Sequence, residues 1–349
     1  MPSSGSSILG HLGDEPAGFT PEVTALKKLL LTGANGFVGS ALIEHLLIAG
    51  YQVTCTTTSP PRSQPSEYEC INLDIRDKNA VEDTVRKVKP THLIHLAAIS
   101  NVATSFRDPY LTWETNVLGT INILEAIKNQ ASDCFSLFVS SSEVYGSAFK
   151  SNIPLDEESR CLPLNPYAAS KLATEAAIGQ YFATSLRGVI TRPFNHIGPG
   201  QSPDFVTASF AKQIAMIECS RQEPIIHVGN LDANRDFLDV HDVCRAYIKL
   251  LEHEKNDLPH SIYNICSGKA HKIKSLLEIM LSQSDTKIDI KLDPTRLRPS
   301  DIPFAVGCKK RIITDIGWQP EKSIDEALAS LLNYWRDRSQ QTSLLNHAS

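Results

Sequence analysis

Long apolar runs are missing from this chain of 349 residues. Nothing in it approaches the ~18 consecutive apolar residues of a membrane-spanning helix, so no membrane partner is expected. The N-terminus lacks a basic segment followed by an apolar one, and secretion is not expected. Blocks of like charge are missing as well. The net charge is −5 and no basic stripe is present, which argues against nucleic acid as a partner. The eight cysteines (Cys55, Cys70, Cys134, Cys161, Cys219, Cys244, Cys266 and Cys308) are scattered and form no C-x-x-C pair. That spacing indicates neither a disulfide framework nor a metal site, and it suits reduced thiols in a cytoplasmic protein. Residues 1–25 show no sustained period and read as a flexible tail. What remains is ordinary for a soluble globular protein: 42% hydrophobic and 21% charged residues, enough for one large domain or two joined ones.

The first strong pattern is L-T-G-A-N-G-F-V-G-S, Leu31 to Ser40. The apolar run Leu29–Leu31 precedes it and a helical period through Phe37, Val38, Leu42, Leu46 and Leu47 follows. Strand, glycine turn and helix in that order suit a dinucleotide. Its pyrophosphate needs backbone N–H groups at a helix N-terminus, with no Cβ in the way. Gly33, Gly36, Phe37 and Val38 are the expected contacts. The strand Tyr51–Thr58 should end at the adenosine ribose. An NAD site usually carries a carboxylate there, whereas this chain has Thr56, Thr57 and Thr58 with Arg62 beyond. NADP is therefore favoured slightly over NAD.

A third strand is expected over Ile71–Ile75, with Asp74 and Ile75 facing the adenine, and a helix over Lys78–Lys87. The strand Thr91–Ala98 would bring Leu96, Ala97 and Ala98 against the cofactor. Its His92 and His95 read as packed core residues, because no third ligand is suitably spaced. Pro109–Lys128 reads as one long helix, with Asn116 bonding a backbone or a neighbouring loop. Phe135–Ser140 is the next strand. Such alternation implies right-handed crossovers and a doubly wound parallel sheet, with the ligand crevice at the carboxyl ends of its strands.

Ser141 and Glu143 stand at one such end, in S-S-S-E-V-Y-G. Tyr167 and Lys171 follow Asn165-Pro166, a helix start, and their spacing of four puts them on one face. A phenol titrates near ~10, and a neighbouring ammonium is expected to lower it. With Ser141 polarising a carbonyl oxygen, this set suits hydride transfer between a nicotinamide and a ketone or carbinol. Glu143 is either a base that removes a carbon-bound proton, as a dehydratase needs, or a residue that orients a substrate hydroxyl. Further on, strands are expected over Val189–Phe194, Pro224–Asn230 and Tyr263–Gly268, and helices over Phe205–Glu218 and on to Leu251. Arg235 and Arg298, fixed planar donors, suit a diphosphate.

Together, the glycine turn, Ala97-Ala98, N-V-L-G-T, S-S-S-E-V-Y-G and Y-x-x-x-K resemble the extended short-chain dehydrogenase/reductase family, in its nucleotide-sugar branch. R-P-F-N-H-I-G-P-G-Q, Q-E-P-I-I-H-V-G-N-L-D-A-N-R-D-F-L-D-V and L-R-P-S-D-I-P narrow the resemblance to GDP-4-keto-6-deoxy-D-mannose reductases. That resemblance implies a GDP-sugar substrate. Asn195 would meet its sugar or phosphate, Arg235 and Arg298 its diphosphate, and Asp301 its ribose. The segment Val206–Lys212 and the strand Pro224–Val228 would wall the guanine. GDP-mannose 4,6-dehydratases share L-R-P and the S-E pair. They typically carry threonine where Ser141 stands, have an arginine-rich stretch at Thr56–Ser59, and lack H-I-G-P-G-Q. A dehydratase or an epimerase is thus the nearest alternative. A non-catalytic NADP sensor is disfavoured by the Tyr167–Lys171 pair. The expected layout is a tail over 1–25, a dinucleotide-binding domain over 26–195 with a returning segment 231–264, a substrate lobe of 196–230 and 265–338, and a tail from 339. A homodimer through the helices near Asn116 and Tyr167 is expected by family analogy.

Overall fold

The computed structural model describes residues 26–59, 67–253, 258–297 and 302–347, with side chains to 341. The N-terminal tail, Arg62, Arg298 and Asp301 lie outside the described residues. The first half runs β1 (Lys28–Thr32), α1 (Phe37–Ile48), β2 (Gln52–Thr57), β3 (Glu69–Asn72), α2 (Lys78–Val88) and β4 (His92–His95). It continues with α3 (Val102–Arg107), α4 (Pro109–Trp113), a π-helical turn (Glu114–Leu118), α5 (Gly119–Gln130) and β5 (Phe135–Val139). A 3-10 segment (Ser142–Ser151) leads to α6 (Pro166–Thr184) and β6 (Arg187–Pro193). The second half holds β7 (Asn195–Ile197), α7 (Val206–Glu218), β8 (Ile225–Val228), β9 (Asn234–Arg235), β10 (Phe237–Asp239) and α8 (Val240–Glu252). It ends with β11 (Ile262–Ile265), β12 (His271–Lys272), α9 (Ile273–Leu281), β13 (Asp289–Leu292), β14 (Phe304–Ala305), α10 (Lys310–Ile316) and α11 (Ile324–His347).

Seven strands form one parallel sheet in the order β11-β6-β5-β4-β1-β2-β3. This is the expected doubly wound fold. β1 lies between β2 and β4, so strand order reverses there and a crevice opens at the carboxyl ends. One face of the sheet packs α1 and α8 through Leu42, Leu46, Val243 and Tyr247. The other packs α2, α5 and α6 through Val81, Val85, Ile123, Ile127 and Ile178. A third cluster joins α7, α9 and α11 to β8 and β10 through Phe210, Ile214, Ile226, Leu277 and Leu331. It forms the core of a smaller lobe. Among the described residues, no helix is long and apolar enough to cross a membrane.

Local chemistry sets the element ends. Asp77 caps α2 by accepting from the N–H groups of Asn79 and Ala80, and Lys89 ends the helix in a left-handed conformation. Asn165 caps α6 by accepting from Ala168 N, with Pro166 in the first turn.

The structure departs from the sequence reading in several places. The third strand is β3, Glu69–Asn72. Leu73 leaves the ladder once its N–H reaches Thr57 O (2.8 Å), so Asp74 and Ile75 sit in the following turn. The stretch expected as one helix is interrupted by the π-helical turn at 114–118. Asn116 lies in that turn, and its carbonyl accepts from Thr120 Oγ1 and Thr174 Oγ1 (2.6 and 3.2 Å). The residues from 339, expected as a tail, continue α11 to His347. Ile312, Ile316 and Trp318 pack into the core beneath α1 and α8, not into the lobe that holds α7.

The two bodies meet at Asp236, which is fully buried. Its carboxylate accepts from Ser267 N and Oγ (2.8 and 2.6 Å), Gly268 N (2.9 Å) and Gly307 N (3.2 Å). One side chain thereby ties the β9–β10 link to the loop after β11 and the loop before α10. Asp236→Ala leaves these donors unpaired in a dry site. It should cost about 3 kcal/mol or more, seen as a lower urea midpoint with an unchanged slope.

Candidate active site

The crevice begins at the glycine turn. Gly33 has φ +73, and the N–H groups of Gly33 and Ala34 both reach Thr56 O (3.1 and 3.2 Å). A Cβ on Gly33 would stand 2.8 Å from Ala97 N, and one on Gly39 would stand 2.5 Å from Gly33 O. These two glycines are therefore required by the protein's own backbone, where β4 and α1 press on the turn. A Cβ on Gly36 would meet only Gly33 O, at 3.2 Å, so that side of the turn is open. No side chain caps α1 at Gly36, which leaves its first N–H groups for a ligand. An open cradle at an uncapped helix terminus fits a dinucleotide pyrophosphate.

Around the turn, Thr32 Oγ1 accepts from Ala97 N (3.2 Å) and bonds His95 Nδ1 (2.7 Å). His95 Nε2 reaches Thr120 Oγ1 (3.1 Å), and burial drives its pKa down to about 3. His92 is also buried and bonds Thr91 Oγ1 (2.8 Å). Both histidines are core residues, as their pattern indicated. Leu96, Ala97 and Ala98 are half-buried at the end of β4. Ile75 is buried, with its side chain against Gly119 of α5, so only its backbone is left to face a ligand. The Asp74 carboxylate is held by Arg76 through both oxygens, which keeps it below the usual carboxylate range. Asn35 Nδ2 reaches Ser59 Oγ (3.3 Å) beyond the end of β2.

The Tyr167–Lys171 pair lies beside the end of β5. Tyr167 and Lys171 are 7% and 6% exposed, on one face of α6 as their spacing predicts. Burial pushes the Tyr167 hydroxyl up to about 12; a hydrogen bond with Ser141 works against the rise, and the charge of Glu143 adds to it. Burial pushes the Lys171 ammonium down to about 8, opposed by Glu175. Lys171 Nζ donates to Val139 O at 2.6 Å. The expected lowering of the phenol by Lys171 is therefore not what this geometry gives. Loss of water sets the direction, and the ammonium is aimed at a strand carbonyl instead of the phenol. Ser141 Oγ accepts from Glu143 N (3.1 Å), and Glu143 Oε2 accepts from Asn165 Nδ2 (3.1 Å). Ser141, Glu143 and Tyr167 thus share one corner. Asn116 braces the floor beneath: its amide bonds Ile99 N and O (2.8 and 3.1 Å) and Ser170 Oγ (2.9 Å).

From the second half, His196 stacks on Phe37 with ring centroids 5.7 Å apart and 6° between planes. The β7 segment therefore closes on the glycine turn. Asn195 is exposed and donates to Asp236 O (3.1 Å), beside the half-buried Arg235. Val206 begins α7 and is 37% exposed. Lys212 does not join them, because its ammonium lies 5.7 Å from the ring centroid of Trp335 on α11. The sequence reading missed Glu175 and Arg192, which form a buried ion pair at 2.6 Å, one turn along α6 from Lys171. The only signal for it was a glutamate one turn after Lys171 and an arginine within an apolar strand.

The sequence profile of the family described as GDP-mannose 4,6 dehydratase matches residues 30–331. The chain is 37% identical to the GDP-6-deoxy-D-mannose reductase of Pseudomonas aeruginosa over 316 residues, covering 90% of this chain and 99% of the relative. Its structure is similar to that of RMD from Pseudomonas aeruginosa complexed with NADPH, with a TM-score of 0.77, 36% identity and coverage of 89% and 99% of the two chains. It is also similar to the UDP-glucose 4-epimerase of Thermus thermophilus in complex with NAD, with a TM-score of 0.78, 28% identity and coverage of 88% and 99%.

Crowding and backbone strain at the turn can be separated. Gly50 has φ +78 with nothing within 4 Å of an added Cβ, so Gly50→Ala should cost about 1 kcal/mol from the left-handed backbone alone. Gly33→Ala adds the collision with Ala97 and should cost about 3 kcal/mol. Urea unfolding of both variants reads the difference.

Proposed function

The chain belongs to the GDP-mannose 4,6-dehydratase family, within the nucleotide-sugar branch of the extended short-chain dehydrogenases/reductases, and we propose that it uses NADPH to reduce the 4-keto group of GDP-4-keto-6-deoxymannose to GDP-D-rhamnose. The observation that carries this reading is the buried phenol of Tyr167, set beside Ser141 and raised to about 12. At neutral pH it holds its proton, which is the form a carbonyl reduction consumes.

Gly33, Gly36, Phe37, Val38, Asp74, Ile75, Leu96, Ala97 and Ala98 would hold the reduced dinucleotide in the glycine cradle, where it would supply a hydride. Ser141 and Tyr167 donate to the ketone oxygen. As negative charge builds on that oxygen, the Tyr167 proton moves onto it. Lys171 holds the nicotinamide ribose and offsets the charge left on the phenolate. Glu143, anchored by Asn165, orients a substrate hydroxyl. Asn195 and Arg235 receive the sugar diphosphate, with Val206 at the base; Arg298 and Asp301, which the resemblance adds to this set, lie outside the described residues. Lys212 is withdrawn toward Trp335 and is the weakest member of this set. In this reading 26–194 and 236–264, with 312–318 packed against them, build the dinucleotide body, while Asn195, Arg235 and the lobe around α7, α9 and α11 serve the substrate.

A second reading, a dehydratase or epimerase, is favoured by one feature: a carboxylate, Glu143, stands close enough to Tyr167 for its charge to raise the phenol, where a base for a carbon-bound proton would be needed. Such enzymes return the hydride to the cofactor. NADPH consumed mole for mole with the keto sugar supports reduction; turnover without net oxidation of NADPH supports the second reading. Tyr167→Phe should lower kcat by about 1,000-fold or more while GDP-sugar affinity stays within twofold. The kcat profile should be level through neutrality and fall as Lys171 loses its proton at about 8.

The outer face of α3, α4 and the π-helical turn leaves Phe106 (59%), Tyr110 (89%), Trp113 (42%) and Leu118 (56%) exposed. An apolar row of this size suits a second copy of the chain. Trp113→Glu with Leu118→Glu should halve the mass seen by sedimentation equilibrium; an unchanged mass would place the dimer contact elsewhere or rule it out.

A further inference from the structure

The end of β5 is fastened to α6 at two points. Lys171 Nζ donates to Val139 O (2.6 Å), and one turn on, Glu175 Oε1 accepts from Ser140 Oγ (2.5 Å). These two residues come immediately before Ser141. Glu175 is in turn gripped from β6: Arg192 Nε donates to Oε1 (2.9 Å) and its NH2 to Oε2 (2.6 Å). Arg192 NH1 donates to the Tyr145 hydroxyl (3.0 Å) and to Glu157 O (3.2 Å), and the Tyr145 hydroxyl donates to Asn264 Oδ1 (2.7 Å). Ser140, Tyr145, Glu175, Arg192 and Asn264 are each 6% exposed or less.

Stability does not account for such a pair. Desolvation offsets most of the attraction in a buried ion pair, and a hydrophobic pair of similar volume often serves as well. Position does account for it. Burial drives Lys171 toward its neutral form, and Glu175 is the carboxylate that opposes this. Of the other titratable groups, Tyr167 lies one turn before Lys171 on α6 and His95 of β4 feels its charge; Glu143 and Tyr145 stand on the 3-10 segment, Arg192 on β6 and Tyr247 on α8. His95 is neutral and the three phenols are raised. Glu143 is bonded to Asn165, and Arg192 is turned onto Glu175.

We propose that Glu175, held by Arg192, is a positioning residue for the reaction: it supplies the charge against which the Lys171 ammonium is kept and, through Ser140, fixes the strand end that carries Ser141. This rests on the carbonyl-reduction reading for its effect on turnover. Its effect on Lys171 can be read without turnover.

The full chain is labelled with 13Cε-lysine, the Lys171 resonance is assigned from Lys171→Arg, and its titration is followed by NMR without substrate. Glu175→Gln keeps the shape and loses the charge. The Lys171 midpoint is expected to fall by roughly one pH unit or more. The alkaline limb of kcat should move down with it, with KM within twofold. Because Glu175→Gln leaves Arg192 buried without a counter-ion, the paired variant Glu175→Gln/Arg192→Met is measured beside it, and a smaller fall in the same direction is expected. Ser140→Ala cuts the link to β5 and leaves the charge, so kcat should fall roughly tenfold with the Lys171 midpoint unchanged. A folded Glu175 variant whose Lys171 midpoint equals that of the native chain would overturn the electrostatic half of the proposal. Native kcat in Ser140→Ala would overturn the positional half. A native chain that fails to oxidise NADPH would instead contradict the reduction reading and leave the midpoint comparison standing.

Discussion

Exclusion of water from one helical turn of α6 governs the chemistry of this protein. A phenol and an ammonium stand there four residues apart, and burial acts on them in opposite directions. It raises Tyr167 to about 12 and lowers Lys171 to about 8. Each shift disfavours a charge. At neutral pH the phenol is left with its proton, and the ammonium sits near its titration point. A dry site with this balance is ready to give a proton to a developing alkoxide. Oxidation of a carbinol would have to begin from a phenolate, which the same burial opposes.

The scaffold keeps that turn dry and in place. Strand order reverses between β1 and β4, which opens the crevice where Ser141, Tyr167 and the glycine turn converge. The floor is braced by Asn116 through Ile99 and Ser170. The π-helical turn exposes the Asn116 carbonyl to Thr120 and Thr174, so the broken ladder is re-satisfied by side chains. The second half of the chain closes over the first through the Phe37–His196 stack and the four donors gathered by Asp236. These contacts hold Asn195 against the backbone of Asp236, next to Arg235.

Much of this was legible in the sequence, for reasons of period and spacing. Buried parallel strands appear as short apolar runs, and β1, β2, β4, β5 and β6 fell where such runs stand. The glycine spacing and the Tyr167–Lys171 spacing each encode a geometry directly, one a turn and the other a helical face. Other features left no trace in residue type. The π-helical turn needs only one extra residue in the ladder, so a continuous helical period hid it. The direction of the Tyr167 shift depends on how much water is lost, which no local motif reports. The Arg192–Glu175 pair joins residues on different elements, as does the seat of Lys212 over Trp335. The end of the third strand was set by one backbone bond, from Leu73 to Thr57, although the run Ile71–Ile75 itself alternates as a strand would.

The most direct test follows the hydride. GDP-4-keto-6-deoxymannose is incubated with the protein and NADPH carrying deuterium at the transferable position of the nicotinamide ring, and the sugar product is examined by NMR. If the buried phenol completes a reduction, one deuterium appears at carbon 4 of the sugar, and the cofactor is recovered oxidised in equal amount. Deuterium retained by the cofactor after turnover, or found at another carbon of the sugar, would contradict the account.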